Sequence, residues 1–570
     1  MKSIFKRCPK TKKIVGINIK SKWYRIFFPV LGLVSLIWFL IRVIPKPSRI
    51  SYPCQRAAFP MAIGFLGFLG GITGITGIYK IIKNKASIKT TVKSVTSVLI
   101  LCAAVYFFIP VSFTGCNDTA SASNDNIIIA TLPHTELPAQ YTMGDDINNI
   151  GDVDDVDVNE PGESPVTREI RTREDIFEIY KTPAEGIGIF PGRVVYAHNP
   201  NAVKYDGKGY WFEDANTIPA EVQKMFIQSL HSLTGKNNSA DAWDALFRSF
   251  NDGDSGEPYK KGEKIVIKIN MNQDGGGAAS NIHIPAPQLI EALVSELIHT
   301  VGVDPSDITI TDPSRSIGDP IYDYFINNSD PEMKKVRFVA QNRIKPVADK
   351  NEPLYFADGQ TGYVSTDYTN AKYLINLAVF RPHDAFGITF TGKNHFGSVQ
   401  FGNGVSFSPV DMHGSWDNGY GKYSHLTDLI AFRHLGGKTL LYIIDGLYSS
   451  HNQGDANVRK MQSFGDEYPA SLFISQDPCA IDSVAYDYLE IELKINDKFK
   501  SRMAANAPDN YIIEAAYADV PPSNTDYDPN KTGLRISLGT YERWNNDTEK
   551  QYSRNLGKNY GIELVRLVLN

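Results

Sequence analysis

Residues 264–272 read KIVIKINMN, residues 287–301 read PQLIEALVSELIHTV and residues 308–312 read ITITD. The first and last are β-branched runs of strand length. Between them Leu289, Ile290, Leu293, Val294, Leu297 and Ile298 recur at helical spacing behind Pro287, which suits a first helical turn. Strand, loop, helix and strand in close succession form a βαβ unit. The unit predicts an α/β domain with a mainly parallel sheet flanked by helices.

Working outward, strands are expected at 193–197, 373–379, 439–444 and 471–475. Helices are expected at 218–233, between Pro219 and Gly235, and at 479–493. The whole of 168–570 reads as one large α/β domain. In open α/β sheets, ligands bind beyond the carboxyl ends of the strands. The expected ends carry Asn270 and Asn272, then Asp312, Ser314 and Arg315, then His383, Asp445 and Asp477. Six of eleven histidines (His383, His395, His413, His425, His434 and His451) fall within 69 residues.

Imidazoles and carboxylates gathered at strand ends suit a divalent metal or acid–base chemistry. His383, Lys393, His395 and Asp445 are the expected catalytic groups. Asn270, Asn272, Asp312, Ser314, Arg315 and Asn394 are expected to bind substrate, and His383, His395, Asp477 and Asp482 to hold the metal. Simpler readings stand beside these. Asp477 before Pro478 fits a helix N-cap, and Asp312 before Pro313 fits a turn. Gly275, Gly276 and Gly277 match neither the dinucleotide fingerprint nor the P-loop.

The charge is uneven along the chain. Residues 1–116 carry 18 Lys and Arg and no Asp or Glu, residues 117–167 carry 11 acidic and no basic groups, and the remainder is net −12. Apolar stretches at 26–43, 57–79 and 95–113 are each near the length that crosses a bilayer as a helix. Fourteen Lys and Arg flank one side of these spans and four the other, which predicts a cytoplasmic N-terminus and an extracytoplasmic C-terminal domain in a multi-pass cell-membrane protein. Cys54 and Cys116 then lie on the outer side and are expected to form a disulfide, lipidation of Cys116 being the alternative. The acidic stretch 117–167 lacks the apolar residues to fold and reads as an extended linker. Nucleic-acid binding is disfavoured by the net negative charge of the domain, and transport by the lack of acidic residues and histidine in the spans.

The segments KIVIKINMN, 287–311, 371–399 (with RPH at 381–383 and GKNHFGS at 392–398), LLYIIDG at 440–446 and SQDPCAID at 475–482 together resemble the family catalogued as domain of unknown function 362. The likeness extends over 190–570, and YPCQRAAFP at 52–60 is similar to the anchor of membrane-bound bacterial-type members. The resemblance implies no activity. Some relatives carry a ferredoxin-type segment, but the five cysteines here are not clustered, so no iron–sulfur cluster is expected.

Two classes of function fit. One is an envelope-facing, metal-assisted hydrolase or transferase acting on an anionic small molecule or a glycan. The other is a non-catalytic binding or assembly module in which the same residues form a structural hydrogen-bond network.

Overall fold

The computed structural model describes residues 5–7, 14–17, 172–251, 256–272, 280–402, 407, 419–500 and 507–569. The chain divides into units 1–132 and 133–570. In the first unit, β1 (Phe5–Arg7) pairs antiparallel with β2 (Ile14–Ile17). The expected spans 26–43, 57–79 and 95–113, the linker 117–167, Cys54 and Cys116 all lie outside the described residues. Among the described residues, no helix is long and apolar enough to cross a membrane.

In the second unit the strands are β3 (Arg193–His198), β4 (Ile265–Ile269), β5 (Ile308–Asp312), β6 (Arg337–Ala340), β7 (Ala348–Tyr355), β8 (Thr361–Ser365) and β9 (Tyr373–Val379). They continue with β10 (Pro382–His383), β11 (Gly387–Ile388), β12 (Val399–Phe401), β13 (Thr439–Gly446), β14 (Ser471–Ser475) and β15 (Glu563–Val568). The main sheet runs β15-β3-β14-β13-β9-β4-β5-β6. The five strands from β13 to β6 are mutually parallel, as the βαβ pattern predicts. β15 is parallel to β3 at the far edge. Antiparallel β7, β8 and β12 form a smaller sheet.

Both faces of the main sheet are covered, so its central strands are apolar on both sides. One face, with Val266, Leu374, Ala378, Tyr442 and Phe473, packs on the Pro478–Ile495 helix through Ile481, Val484, Ala485 and Leu489. The other, with Ile265, Ile267, Ile375, Leu441 and Ile443, packs on the Pro219–Thr234, Ser239–Phe250 and Pro287–Ser295 helices through Phe226, Trp243 and Leu293. Proline opens three of these helices, where its missing N–H costs nothing. The helix expected over 287–301 is α-helical to Ser295 and widens to a π-helix over Glu296–Val301.

One expectation about the strand ends is corrected. β14 runs antiparallel to both neighbours, with Ser475 beside Tyr442 and Leu472 beside Asp445. Its carboxyl end, and with it Asp477, therefore lies at the edge opposite to Asp445 and Asp312. The 447–470 connection contains a single 3-10 turn, Gln462–Phe464, and no crossover helix of the kind a parallel pair needs.

Candidate functional site

At the carboxyl ends of β4, β5 and β9, polar side chains interrupt otherwise apolar strands. Lys268 of β4 is paired in register with Asn376 of β9. Its ammonium donates to the Ile269 carbonyl at 2.6 Å and to Asn394 Oδ1 at 3.0 Å, and lies 3.2 Å from Asp312 Oδ2. An ammonium only donates, which orients every amide after it. Asn394 Nδ2 donates to Asn376 Oδ1 at 2.8 Å, and Asn376 Nδ2 donates to His395 Nε2 at 3.0 Å. The result is a directed chain, Lys268 to Asn394 to Asn376 to His395. The His395 proton must then sit on Nδ1. Burial, with the Lys268 charge nearby, pushes this imidazole down to about 3, so it is neutral at physiological pH. His395 is an acceptor in this network through Nε2.

Asp312 spends its remaining capacity locally. Oδ2 accepts from Met271 N at 3.0 Å, and Oδ1 accepts from Ser314 N and Oγ at 3.2 and 2.9 Å. Exposed Arg315 donates to Asn272 Oδ1 at 3.0 Å. Arg381, just beyond β9, is 0 % exposed. It donates through Nη1 to the His283 carbonyl at 2.6 Å, and through Nη2 to the Asn272 carbonyl at 3.2 Å and Asn270 Oδ1 at 3.3 Å. Its Nε has no partner among the described residues, and burial pushes the guanidinium down to about 9. Lys393 is 7 % exposed, with Nζ 3.6 Å from the Phe396 ring centroid and 5.6 Å from that of Phe386. Burial, then the charges of Arg315 and Lys268, hold this amine well below the usual lysine range. Of Lys268, Arg315 and Arg381, only Lys268 has an ion pair among the described residues.

These strand ends gather a cluster of cationic and amide side chains, and the segments that build it lie within one recognisable stretch of chain. Residues 265–487 match the family described as domain of unknown function (DUF362). The match covers β4 through most of the Pro478–Ile495 helix, and therefore every residue of the cluster. No curated protein and no solved structure matches the chain.

Within the DUF362 region, Asn270, Asn272, Asp312, Ser314, Arg315, Lys393, Asn394 and His395 gather into one cluster at these strand ends. His383 lies beside it on β10, where Nδ1 accepts from Phe386 N at 3.1 Å. Asp445 accepts from Ala286 N at 2.7 Å and Leu447 N at 3.0 Å, tying β13 to the start of the Pro287–Ser295 helix, and burial pushes it up to about 6. Asp482 accepts from Thr391 N, Thr391 Oγ1, Gly392 N and the Tyr511 hydroxyl at 2.7–2.9 Å. It caps the short Thr391–Asn394 helix and so holds Lys393 and Asn394 in place.

Asp477 is not part of this group. At the other end of the sheet its two oxygens accept from Cys479 N, Ala480 N, Ile187 N and Thr540 N. It is the N-cap that Asp-Pro also suggests. The expected metal set of His383, His395, Asp477 and Asp482 is therefore not brought together. Among the described residues, no three His, Cys, Asp or Glu side chains are grouped to hold a metal. His413 and Gly275 to Gly277 lie outside the described residues.

Sequence reasoning passed over Lys268, Asn376, Arg381 and Gly397 as site residues. A signal exists for the first two: each is a single polar residue inside an apolar strand, IVIKI and YLINLAV. Such residues survive burial only with partners supplied.

Proposed function

We propose that this protein is a membrane-anchored, extracytoplasmic enzyme whose cationic strand-end cluster takes an anionic small molecule, or the charged group of a glycan, for hydrolysis or group transfer. The observation that carries this reading is Arg381. A buried guanidinium is costly to desolvate, and here no carboxylate among the described residues offsets that cost. Its planar fork matches carboxylate and phosphate oxygens, so an anionic ligand supplies the missing charge. Lys268 on β4 and Lys393 on the Thr391–Asn394 helix add positive charge at the same strand ends, and the amides there are already oriented by the Lys268 ammonium. Preorganised donors of this kind stabilise charge that develops in a transition state. The charge pattern of residues 1–116 supports the compartment.

One observation favours the non-catalytic alternative: Asp312, Asp477 and Asp482 all spend their oxygens on hydrogen bonds.

The test uses thermal unfolding of the purified full-length chain with inorganic phosphate, sulfate or citrate. A ligand at a hundred times its Kd stabilises the folded state by about 2.7 kcal/mol, which raises the midpoint measurably. The rise is expected in wild type and absent in Arg381→Met. A wild-type chain indifferent to all three anions overturns the reading. Binding without turnover of any phosphate ester or glycoside favours the binding module.

A further inference from the structure

We propose that the cleft at the carboxyl end of β3 binds an uncharged pyranose sugar ring, at a site separate from the Arg381 cluster.

The cleft has a volume of about 420 Å³. Small-molecule sites span about 300–1,000 Å³. His198, the last residue of β3, and Ala470, just before β14, both line it. β3 and β13 each run antiparallel to β14, with His198 and Gly446 both opposite Ser471. The end of β3 therefore shares the sheet edge of Asp445 and Arg381, the edge at which open α/β sheets take ligands.

The walls are aromatic and anchored. Phe464 packs on the apolar cluster of one sheet face, Tyr205 and Tyr468 on that of the other, so the cleft straddles the end of the sheet. The rings of Tyr205 and Tyr468 are 6.0 Å apart, and each packs on Tyr448, at 6.4 and 4.9 Å. Tyr448 is held in turn by hydrogen bonds of its hydroxyl with Thr217 Oγ1 and the Asn216 carbonyl, both at 3.0 Å. Walls fixed beforehand lose little freedom when a ligand enters. Ala470 holds a φ of 45°, and strained positions of this kind gather at ligand sites.

Charge selects the class of ligand. Lys204 and Glu467 bring one positive and one negative group to the lining, Lys204 donating to Asn201 Oδ1 at 2.9 Å and Glu467 pairing with Lys460 at 2.7 Å. The His198 Nδ1 lies 3.0 Å from the Pro469 carbonyl, which only accepts, so Nδ1 carries the proton and Nε2 is left as an acceptor. Burial lowers this imidazole below its ordinary range and keeps it neutral. The lining thus carries no net charge to hold an anion. A cation meets Lys204 and also Lys460, whose ammonium lies 5.6 Å from the Tyr468 ring centroid. A pyranose ring suits all of this: its C–H face lies on the electron-rich face of an aromatic ring, and its hydroxyls both donate and accept.

The experiment is saturation-transfer difference NMR on the purified full-length chain with methyl glucoside, methyl galactoside, N-acetylglucosamine and, as a cation, tetramethylammonium. The expected result is transfer to at least one sugar, strongest at the C–H protons of one ring face, and unchanged by added phosphate or citrate. Tyr468→Ala should lower it about fivefold or more. If that variant folds poorly, Lys204→Trp, an exposed substitution, narrows the cleft and should lower it as far. Transfer to no sugar, or to tetramethylammonium instead, overturns the assignment. Transfer that neither substitution lowers overturns the location, and competition by phosphate overturns the separateness. A chain that binds sugar but ignores phosphate loses the anion reading and keeps this one.

Discussion

Gly397 shows how tightly single residues constrain the strand-end cluster. A Cβ there would lie 2.7 Å from Ser314 Oγ and 2.9 Å from Asp312 Oδ1, so only glycine lets the turn after His395 approach β5 this closely. Gly397→Ala is expected to lower stability by about 1–3 kcal/mol in urea unfolding, since overpacking displaces the Asp312 cluster. A second residue-scale prediction concerns pH. Asp428 accepts from the Tyr423 hydroxyl at 2.6 Å and Ala357 N at 3.2 Å, its Oδ1 has no partner among the described residues, and burial pushes it up to about 8. The folded chain holds this proton more tightly than the unfolded chain does. The resulting stability is complete below the ordinary carboxylate range and is lost as pH rises through about 8. Asp428→Asn keeps a neutral side chain, so its stability relative to wild type should increase from about pH 4 to about pH 8 and then level off, read from unfolding midpoints. At this scale the sequence was legible where a polar residue stood at a strand end. It was not legible where distant partners decide the surroundings, because nothing local shows that His395 accepts from Asn376 or that Asp482 accepts from Thr391 and Gly392.

At the scale of elements, apolar runs and proline-led helices located most of the main sheet and its cover. The expected strands at 373–379 and 471–475 are observed with the same bounds, and 439–444 extends to Gly446. Direction is a different matter. A strand buried on both faces reads the same whichever way it runs, and β14 carries no periodic mark of its reversal. That reversal turns Asp477 from a site residue into a structural one. Asp477→Ala removes the acceptor for four backbone N–H groups and should cost about 2 kcal/mol or more, since loss of an N-cap alone costs about 1 kcal/mol. The anion response proposed for the Arg381 cluster, at the opposite edge, should be unchanged in the same variant at a temperature where it is folded.

For the whole molecule, the decisive feature is the separation of charge along the chain: a basic segment with three apolar stretches, an acidic segment, then a net-negative α/β domain. The proposed topology predicts that a C-terminal epitope tag on intact cells is removed by external protease, or in spheroplasts if a wall intervenes. Protection there, with cleavage only after lysis, refutes the extracytoplasmic assignment. What the sequence by itself determined is the α/β class and the parallel core, since chain-local patterning suffices for both. Only the tertiary structure decided which way β14 runs, that Lys268 is neutralised by Asp312, and that Arg381 is left without a carboxylate among the described residues. The physical reason is that strand polarity and charge neutralisation belong to pairs of distant residues, and no single stretch of chain encodes its partner.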